Sequence, residues 1–296
     1  MKDMKPLYMW AGGKTKMIQK YENLPSIPKS RYDTFVEPFF GGGAMMIYMS
    51  KKNLGIKKFV LNDINEEIVN IYRTIKTDVT GFTQEMDRLS NLYLPLQKSD
   101  RKTFYYDLRN LYITDYPKWS KTKETATLYF LMKTAFNGVF QSTIEAKGRF
   151  ATPAGLLNQT TKVYDKTNVY LWNQFLRNVD IKCGDWKDAC VVDGRAFYFM
   201  DPPYRNSFAQ YEQEFNDEQH IELINFCKDA DEAGHYVFYC NRETPDTFYL
   251  DNKGKLEIAY YDITYTVGRR ATNSDGKKEA KKAKEVLLYS SRIKNV

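Results

Sequence analysis

The tetrapeptide Asp201-Pro202-Pro203-Tyr204 follows a short apolar run, Ala196 to Met200, that reads as a buried strand. A carboxylate, two rigid imino acids and an aromatic ring are thus set where a strand gives way to a loop. Open α/β sheets bind ligands at this position, just outside the carboxyl ends of their strands. The four residues suit a planar, amino-substituted ring. The Asp201 carboxylate and the Pro202 carbonyl can each accept one hydrogen of an exocyclic NH2, and the Tyr204 ring can stack on the plane. An aromatic amine is a weak nucleophile because its lone pair is delocalised. Two acceptors drawing on its hydrogens favour the pyramidal nitrogen that attacks an electrophilic carbon. Catalysis of this kind rests on positioning and preorganised dipoles rather than on a strong base. The same residues also suit a plain strand-to-loop corner in which the prolines only stop the strand, and the tetrapeptide alone does not choose.

Other chemistry-bearing residues stand at comparable places. Thr34 to Glu37 reads as a strand, followed by Pro38-Phe39-Phe40-Gly41-Gly42-Gly43 and a helix from Ala44 to about Lys52. Glycines in such a turn let backbone approach a bound ligand. The second strand, Lys58 to Leu61, ends in Asn62-Asp63, an acid ~20 residues past the glycines, where such folds bind two ribose hydroxyls. Asp63 also reads as the N-cap of the next helix, Asn65 to Lys76. Strand Val179–Lys182 runs into Gly184-Asp185-Trp186, where an acid and an indole can hold a heterocycle or form a solvated turn. Gly12-Gly13-Lys14-Thr15 is not a phosphate-binding P-loop, because the first glycine of that motif would fall on Tyr8. It reads instead as a tight turn with Lys14 pointing into the ligand space, or as a surface turn before a helix.

These residues need an α/β frame to position them, and the rhythm of strand, turn and helix supplies one at both ends of the chain. Between about Val79 and Tyr164 the rhythm stops. Helical patterns cover Thr80–Leu92, Asp100–Ile113 and Thr122–Phe136. Asn137 to Ser142 and Ala146 to Phe150 then read as a β-hairpin, and Pro153 stands in the turn that follows. Basic and aromatic residues alternate here, so the block reads as an inserted domain whose hairpin faces a groove. After Tyr204 a polar loop with Phe208 and Tyr211 reads as a lid. Asn216 or Asp217 caps a helix to about Glu232, strand Tyr236–Cys240 follows, and a last strand covers Glu285–Ser291. Between these last two strands, Arg269, Arg270 and the lysines from Lys277 to Lys284 read as a solvated face or, beside a polyanion, a phosphate clamp.

Composition sets outer bounds. The 296 residues are 43% apolar and 27% charged, which makes a globular chain able to bury a large core. The net charge of +7 favours a polyanionic partner without requiring one. Met1 to Trp10 has no apolar core of a signal peptide, and no apolar stretch reaches the ~18 residues of a membrane span. The four cysteines lack C-x-x-C spacing and only two histidines are present, so neither a structural metal nor a disulfide framework is expected. A cytoplasmic protein with reduced thiols is the reading.

Taken together, the motifs resemble those of the Dam-type DNA adenine-N6 methyltransferases over nearly the whole chain. Trp10 to Lys14 looks like the family's N-terminal motif, and Val36-Glu37-Pro38-Phe39 with Gly41 and Gly43 looks like its S-adenosylmethionine motif. Asp63 resembles its ribose acid, Asp201 to Tyr204 its catalytic motif, and Glu285 to Tyr289 the family's final strand. The resemblance implies a Rossmann-like methyltransferase sheet with helices on both faces. It also implies a catalytic domain over 1–78 and 165–296, and an inserted, mostly helical target-recognition domain over 79–164. S-Adenosyl-L-methionine would be held by Trp10, Lys14, Glu37, Pro38, Phe39, Gly41, Gly43, Asp63, Asp185, Trp186 and Asp201. Asp201, Pro202, Pro203 and Tyr204 would methylate N6 of an adenine flipped out of double-stranded DNA. Asn137, Val139, Gln141, Arg149, Pro153, Arg269, Arg270, Lys277 and Lys278 would contact the DNA. Relatives that target GATC generally carry arginine where this chain has Gln141, and glutamine suits adenine rather than guanine, which argues against GATC.

Rival readings are methylation of RNA adenine or of N4 of cytosine, and a catalytically silent methylase fold that only binds DNA. By resemblance, Asp rather than Ser at 201 disfavours N4-cytosine, and intact Asp201, Tyr204 and Asp63 disfavour the silent fold. Whether the chain works alone, beside a restriction endonuclease or for a virus is not written in its residues, nor is its oligomeric state.

Overall fold

In the computed structural model, which describes residues 3–10, 14–21, 32–52, 55–206, 215–265, 271–272, 278–279 and 281–295, the apolar runs become strands of one mixed sheet. In chain order the strands are β1 (Thr34–Glu37), β2 (Lys58–Asp63), β3 (Val179–Cys183), β4 (Ala196–Met200), β5 (Tyr236–Arg242), β6 (Glu257–Tyr265), β7 (Ala271–Thr272), β8 (Lys278–Glu279) and β9 (Lys281–Tyr289). Seven of them lie in the order β3-β2-β1-β4-β5-β9-β6, and β7 and β8 pair separately. β1 is parallel to β2 on one side and to β4 on the other, and β4 is parallel to β5. β9 runs antiparallel between β5 and β6. With helices on both faces this is a Rossmann-like α/β fold. Strand order reverses between β1 and β4, and ligands bind at the carboxyl ends of the strands at such a switch point.

The helices are α1 (Thr15–Tyr21), α2 (Ala44–Lys51), α3 (Glu66–Thr77), α4 (Val79–Tyr93), α5 (Lys98–Asp115), α6 (Lys121–Thr134), α7 (Lys166–Leu176), α8 (Trp186–Ala189), α9 (Asp217–Glu232) and α10 (Phe248–Asn252). The chain divides into two compact units. Unit 1 holds residues 1–13, 41–47 and 62–185, and unit 2 holds 14–40, 48–61 and 186–296. The segment 79–164 falls wholly within unit 1.

Unit 2 is built on side-chain alternation, because successive strand residues face opposite sides of a sheet. Val36, Tyr198, Met200, Val237, Tyr239, Val286 and Leu288 share one core with Leu223, Ile224 and Cys227 of α9. Aromatic rings pack on the alternate positions: Phe197 meets Phe35, Phe238 and Tyr32 at ring separations of 5.0–5.6 Å. A capping box starts α9, in which Asn216 accepts from Gln219 N and Gln219 returns a bond to Asn216 N. In unit 1, α6 is buried continuously from Glu124 to Met132, as befits a helix apolar on most sides and enclosed by its neighbours.

The structure corrects two local expectations. Asp63 does not cap α3; Asn65 does, accepting from Ile68 N at 3.1 Å. The hairpin expected from Asn137 to Phe150 has no ladder, only the isolated bridge Ser142↔Phe150, with a second bridge at Ala135↔Ala154. Asn137 and Lys147 adopt positive φ (53° and 54°), which breaks strand geometry. The loop is held by a side chain instead: Thr152 Oγ1 donates to Val139 O (2.7 Å) and accepts from Gln141 N (3.1 Å). Gly155 closes it, because a Cβ there would meet Ala135 O at 2.6 Å.

Among the described residues no helix is long and apolar enough to cross a membrane. No group of three or more His, Cys, Asp or Glu among them could hold a metal. None of the four cysteines forms a disulfide.

Candidate active site

β1 and β4 are parallel neighbours, so Glu37-Pro38-Phe39 and Asp201-Pro202-Pro203-Tyr204 leave the sheet at the same edge. β4 is buried along its whole length, and the two prolines end it because neither offers an N–H to a ladder. Lys14, the residue before α1, is only 3% exposed, and its Nζ lies 2.9 Å from Asp201 Oδ1 and 3.8 Å from Glu285 Oε2. The same ammonium donates to the Tyr204 hydroxyl and sits 4.5 Å from the centre of its ring. Tyr204 in turn donates to Glu285 Oε1 at 2.9 Å. Beneath them Tyr21 donates to Cys240 Sγ at 3.3 Å.

Burial sets the electrostatics of this cluster. Loss of solvent raises the Asp201 carboxyl to about 6, against the pull of Lys14. Burial also opposes the charge of Lys14, but Asp201 and Glu285 outweigh it and hold the ammonium above the usual lysine range. Burial, then the charges of Asp201 and Glu285, push the Tyr204 phenol well up, so it stays a neutral donor. Buried titratable groups shifted by desolvation and by specific charge partners make this cluster a candidate functional site.

Arg205 fixes the chain just after the tetrapeptide. It makes a two-pronged pair with Asp217 (2.6 and 2.8 Å), reaches Asp246 at 2.5 Å and stacks 4.0 Å over Phe248. Its backbone N–H donates to Asn241 Oδ1 at 3.1 Å. Phe208 and Tyr211, the expected lid residues, lie outside the described residues. Phe39 meets Phe215 edge-on at 5.7 Å, while Glu37 and Pro38 are buried.

Within unit 1 the glycine turn and the acid after β2 meet. Asp63 Oδ2 accepts from Gly41 N at 2.8 Å and Oδ1 from Asn65 N at 3.0 Å. Burial raises the Asp63 carboxyl, and backbone N–H groups of Asn65, Gly41 and Ile64 draw it back. Gly41 (φ 49°) lies so close to Trp10 that a Cβ would come within 2.5 Å of the indole Nε1. Gly43 also has positive φ, at 65°. The Tyr8 hydroxyl donates to Gly41 O at 3.0 Å. Asp185 follows Gly184, whose N–H donates to Asp63 O at 3.2 Å, and its own side chain is exposed. Trp186, expected to stack on a heterocycle, is 9% exposed and packs on Phe226 at 5.3 Å in the core of unit 2.

On the loop after α6, Asn137 and Pro153 are exposed and Val139 and Gln141 half-buried. Phe136 is 54% exposed and Ile144 93% exposed. Arg149 is placed differently from the expected DNA contact. Its guanidinium pairs with Glu124 (2.9 Å) and Glu67 (3.2 Å) and lies over the rings of Tyr112 and Tyr116. Arg269, Arg270 and Lys277 lie outside the described residues, and Lys278 is described only as the strand residue opposite Thr272.

Sequence reasoning missed Glu285 and Arg205 as site residues. The signal for Glu285 was a lone carboxylate opening the apolar run Val286-Leu287-Leu288; Arg205 gave none beyond its place after Tyr204.

A family model described as D12 class N6 adenine-specific DNA methyltransferase matches residues 10–275. The type II methyltransferase M.MjaIII of Methanocaldococcus jannaschii is 32% identical over 297 residues, covering 97% of this chain and 99% of that one. The type II methyltransferase M1.LlaDCHI of Lactococcus lactis is 29% identical over 287 residues, 92% of each chain. A DNA adenine methylase of Escherichia coli is 23% identical over 297 residues, 98% of this chain and 96% of the other.

Proposed function

Since the chain belongs to the D12 class of N6 adenine-specific DNA methyltransferases, we propose that Asp201, Pro202 and Tyr204 form the pocket in which the adenine amino group is methylated. The observation that carries this is the buried cluster of Lys14, Asp201, Tyr204 and Glu285 at the carboxyl edge of β1 and β4. Asp201 and the Pro202 carbonyl accept the two N6 hydrogens, and Tyr204 stacks on the base. Stacking returns ~1–3 kcal/mol of the few kcal/mol that rotating a base out of a duplex costs.

S-Adenosyl-L-methionine is the methyl donor this family implies, and the residues fit its adenosine half. Asp63 offers acceptor lone pairs to ribose hydroxyls, and the Gly41 turn that holds it packs directly against the Trp10 indole. When bound, the cofactor supplies an electrophilic methyl group on a sulfonium. Asp201 and the Pro202 carbonyl would orient the amino nitrogen toward that methyl group, and the proton shed by N6 would pass to the Asp201 carboxylate that already accepts it. Segment 79–164 acts as the target-recognition domain on double-stranded DNA, with Asn137, Val139, Gln141 and Pro153 on its loop reading the bases, and the enzyme works in the cytoplasm where that DNA lies.

Asp201→Ala tests the pocket. It is expected to reduce transfer of labelled methyl to unmethylated DNA at least a thousandfold while calorimetric binding of S-adenosylmethionine persists. Near-normal transfer by that variant would overturn the assignment.

A further inference from the structure

Glu285 occupies a position that folding alone does not favour. It stands on β9 opposite Arg242 of β5 and Tyr261 of β6, an interior place in the sheet, and it is 2% exposed. Its neighbours Val286 and Leu288 enter the core shared with α9, so alternation sends Glu285 to the opposite face. Glutamate is a poor strand former, and burying a carboxylate is costly unless it is paired. Its partners are Tyr204, which donates to Oε1 at 2.9 Å, and Lys14, 3.8 Å from Oε2.

We propose that Glu285 is the positioning residue of the base pocket, anchoring the Tyr204 ring by its hydroxyl and sharing Lys14 with Asp201, which leaves the Asp201 carboxylate a stronger acceptor for the amino group. This rests on the reading of Asp201 and Tyr204 given above. A phenol has one hydrogen to donate; Tyr204 gives it to Glu285 and receives one from Lys14. Both bonds fix the ring in the plane a base must stack upon. Two carboxylates face one ammonium, so Lys14 does not serve Asp201 alone. Positive charge develops on the amino nitrogen as the N–C bond forms and before its proton leaves, and a preorganised negative charge stabilises that moment. Without Glu285, Lys14 would belong to Asp201 alone.

The test compares full-length wild type, Glu285→Gln, Glu285→Asp and Asp201→Asn in single-turnover transfer to unmethylated plasmid DNA between pH 5 and 9. Glutamine keeps the volume and an acceptor for Tyr204 but loses the charge. It is expected to slow transfer at least tenfold at pH 7.5 with the S-adenosylmethionine Kd within twofold of wild type. It is also expected to move the acidic limb of the rate profile to lower pH, because Glu285 is one of the charges that raise Asp201. Aspartate restores the charge but not the reach, so the limb returns and the rate recovers only in part. A Gln variant with wild-type rate or an unmoved limb overturns the proposal, since a merely structural role leaves the limb in place. Should the Gln variant fail to bind cofactor, the Asp variant decides: a slowed rate with the S-adenosylmethionine Kd within twofold of wild type supports the proposal, and a wild-type rate or a rate lost together with cofactor binding overturns it. An active Asp201→Asn removes the underlying pocket reading instead; an inactive one beside a normal Glu285→Gln removes only the role of Glu285.

Discussion

The backbone N–H of Gly41 donates to Asp63 Oδ2 at 2.8 Å, so the turn after β1 and the acid that ends β2 hold each other in place. Gly41→Ala attacks that joint. Alanine at φ 49° is strained, and its Cβ would stand 2.5 Å from Trp10 Nε1. The left-handed backbone costs about 1–2 kcal/mol, and the indole must also move. The S-adenosylmethionine Kd is expected to rise at least tenfold by isothermal titration. Gly55→Ala is the control. It shares the positive φ, 72°, but its Cβ would meet nothing within 4 Å, so its Kd is expected to stay at the wild-type value. Equal Kd values for both variants and wild type would detach the turn from the cofactor.

The Asp201 carboxyl titrates at about 6, which places the acidic limb of transfer there if the ionised form accepts the N6 hydrogens. Transfer is expected to fall as pH drops through that value. Lys14 lowers Asp201, so Lys14→Met is expected to move the limb upward, opposite to the shift from losing Glu285. A limb that stays put in Lys14→Met would show that some other group sets it. The same shift has a stability consequence whose sign is fixed. The native carboxyl binds its proton more tightly than an unfolded one, whose pKa is about 3.9. Stability therefore falls as pH rises from about 4 to about 6, and the cost is fully present above that window. Asp201→Asn is expected to melt higher than wild type at pH 7.5, with the difference vanishing below about pH 4.

The readable parts of this molecule were those whose signal is local. Ala196 to Met200 is apolar without a break and stops at two prolines, so β4 and the place of Asp201 could be located from the chain alone. Thr34 to Glu37 and the glycines after it could be located in the same way. Glu285 could not, because a glutamate at the head of a strand looks like a solvent-facing residue. Its burial depends on Lys14 and Tyr204, which come from distant parts of the chain. The loop after α6 misled for a related reason. Its two short arms around a turn suggested a ladder, but the Thr152 hydroxyl satisfies Val139 O and Gln141 N in place of a strand partner. Trp186 looked like a stacking platform and is core, because a four-residue helix, α8, carries it against Phe226.

Arg149 gives the last prediction, because interleaved basic and aromatic residues in sequence do not show whether an arginine serves a nucleic acid or its own fold. Its Cζ lies 3.4 Å from the ring centre of Tyr116 and 4.4 Å from that of Tyr112, and it pairs with Glu124 and Glu67. Tyr112 also donates to Glu67. The guanidinium therefore ties the loop after α6 to α3, α5 and α6. Arg149→Met keeps much of the packing but leaves two carboxylates without their cation. The expected cost is about 2 kcal/mol, below that of breaking a fully buried pair because the cluster is partly exposed. Arg149 also lowers the Glu67 carboxyl, which burial raises, so the variant's deficit is expected to shrink as pH falls and Glu67 takes up a proton. Melting temperatures across pH check both statements. DNA binding by the variant is expected to weaken without changing the slope of log K against log salt. A slope reduced by about one unit would mean a lost phosphate contact and would return Arg149 to the DNA interface.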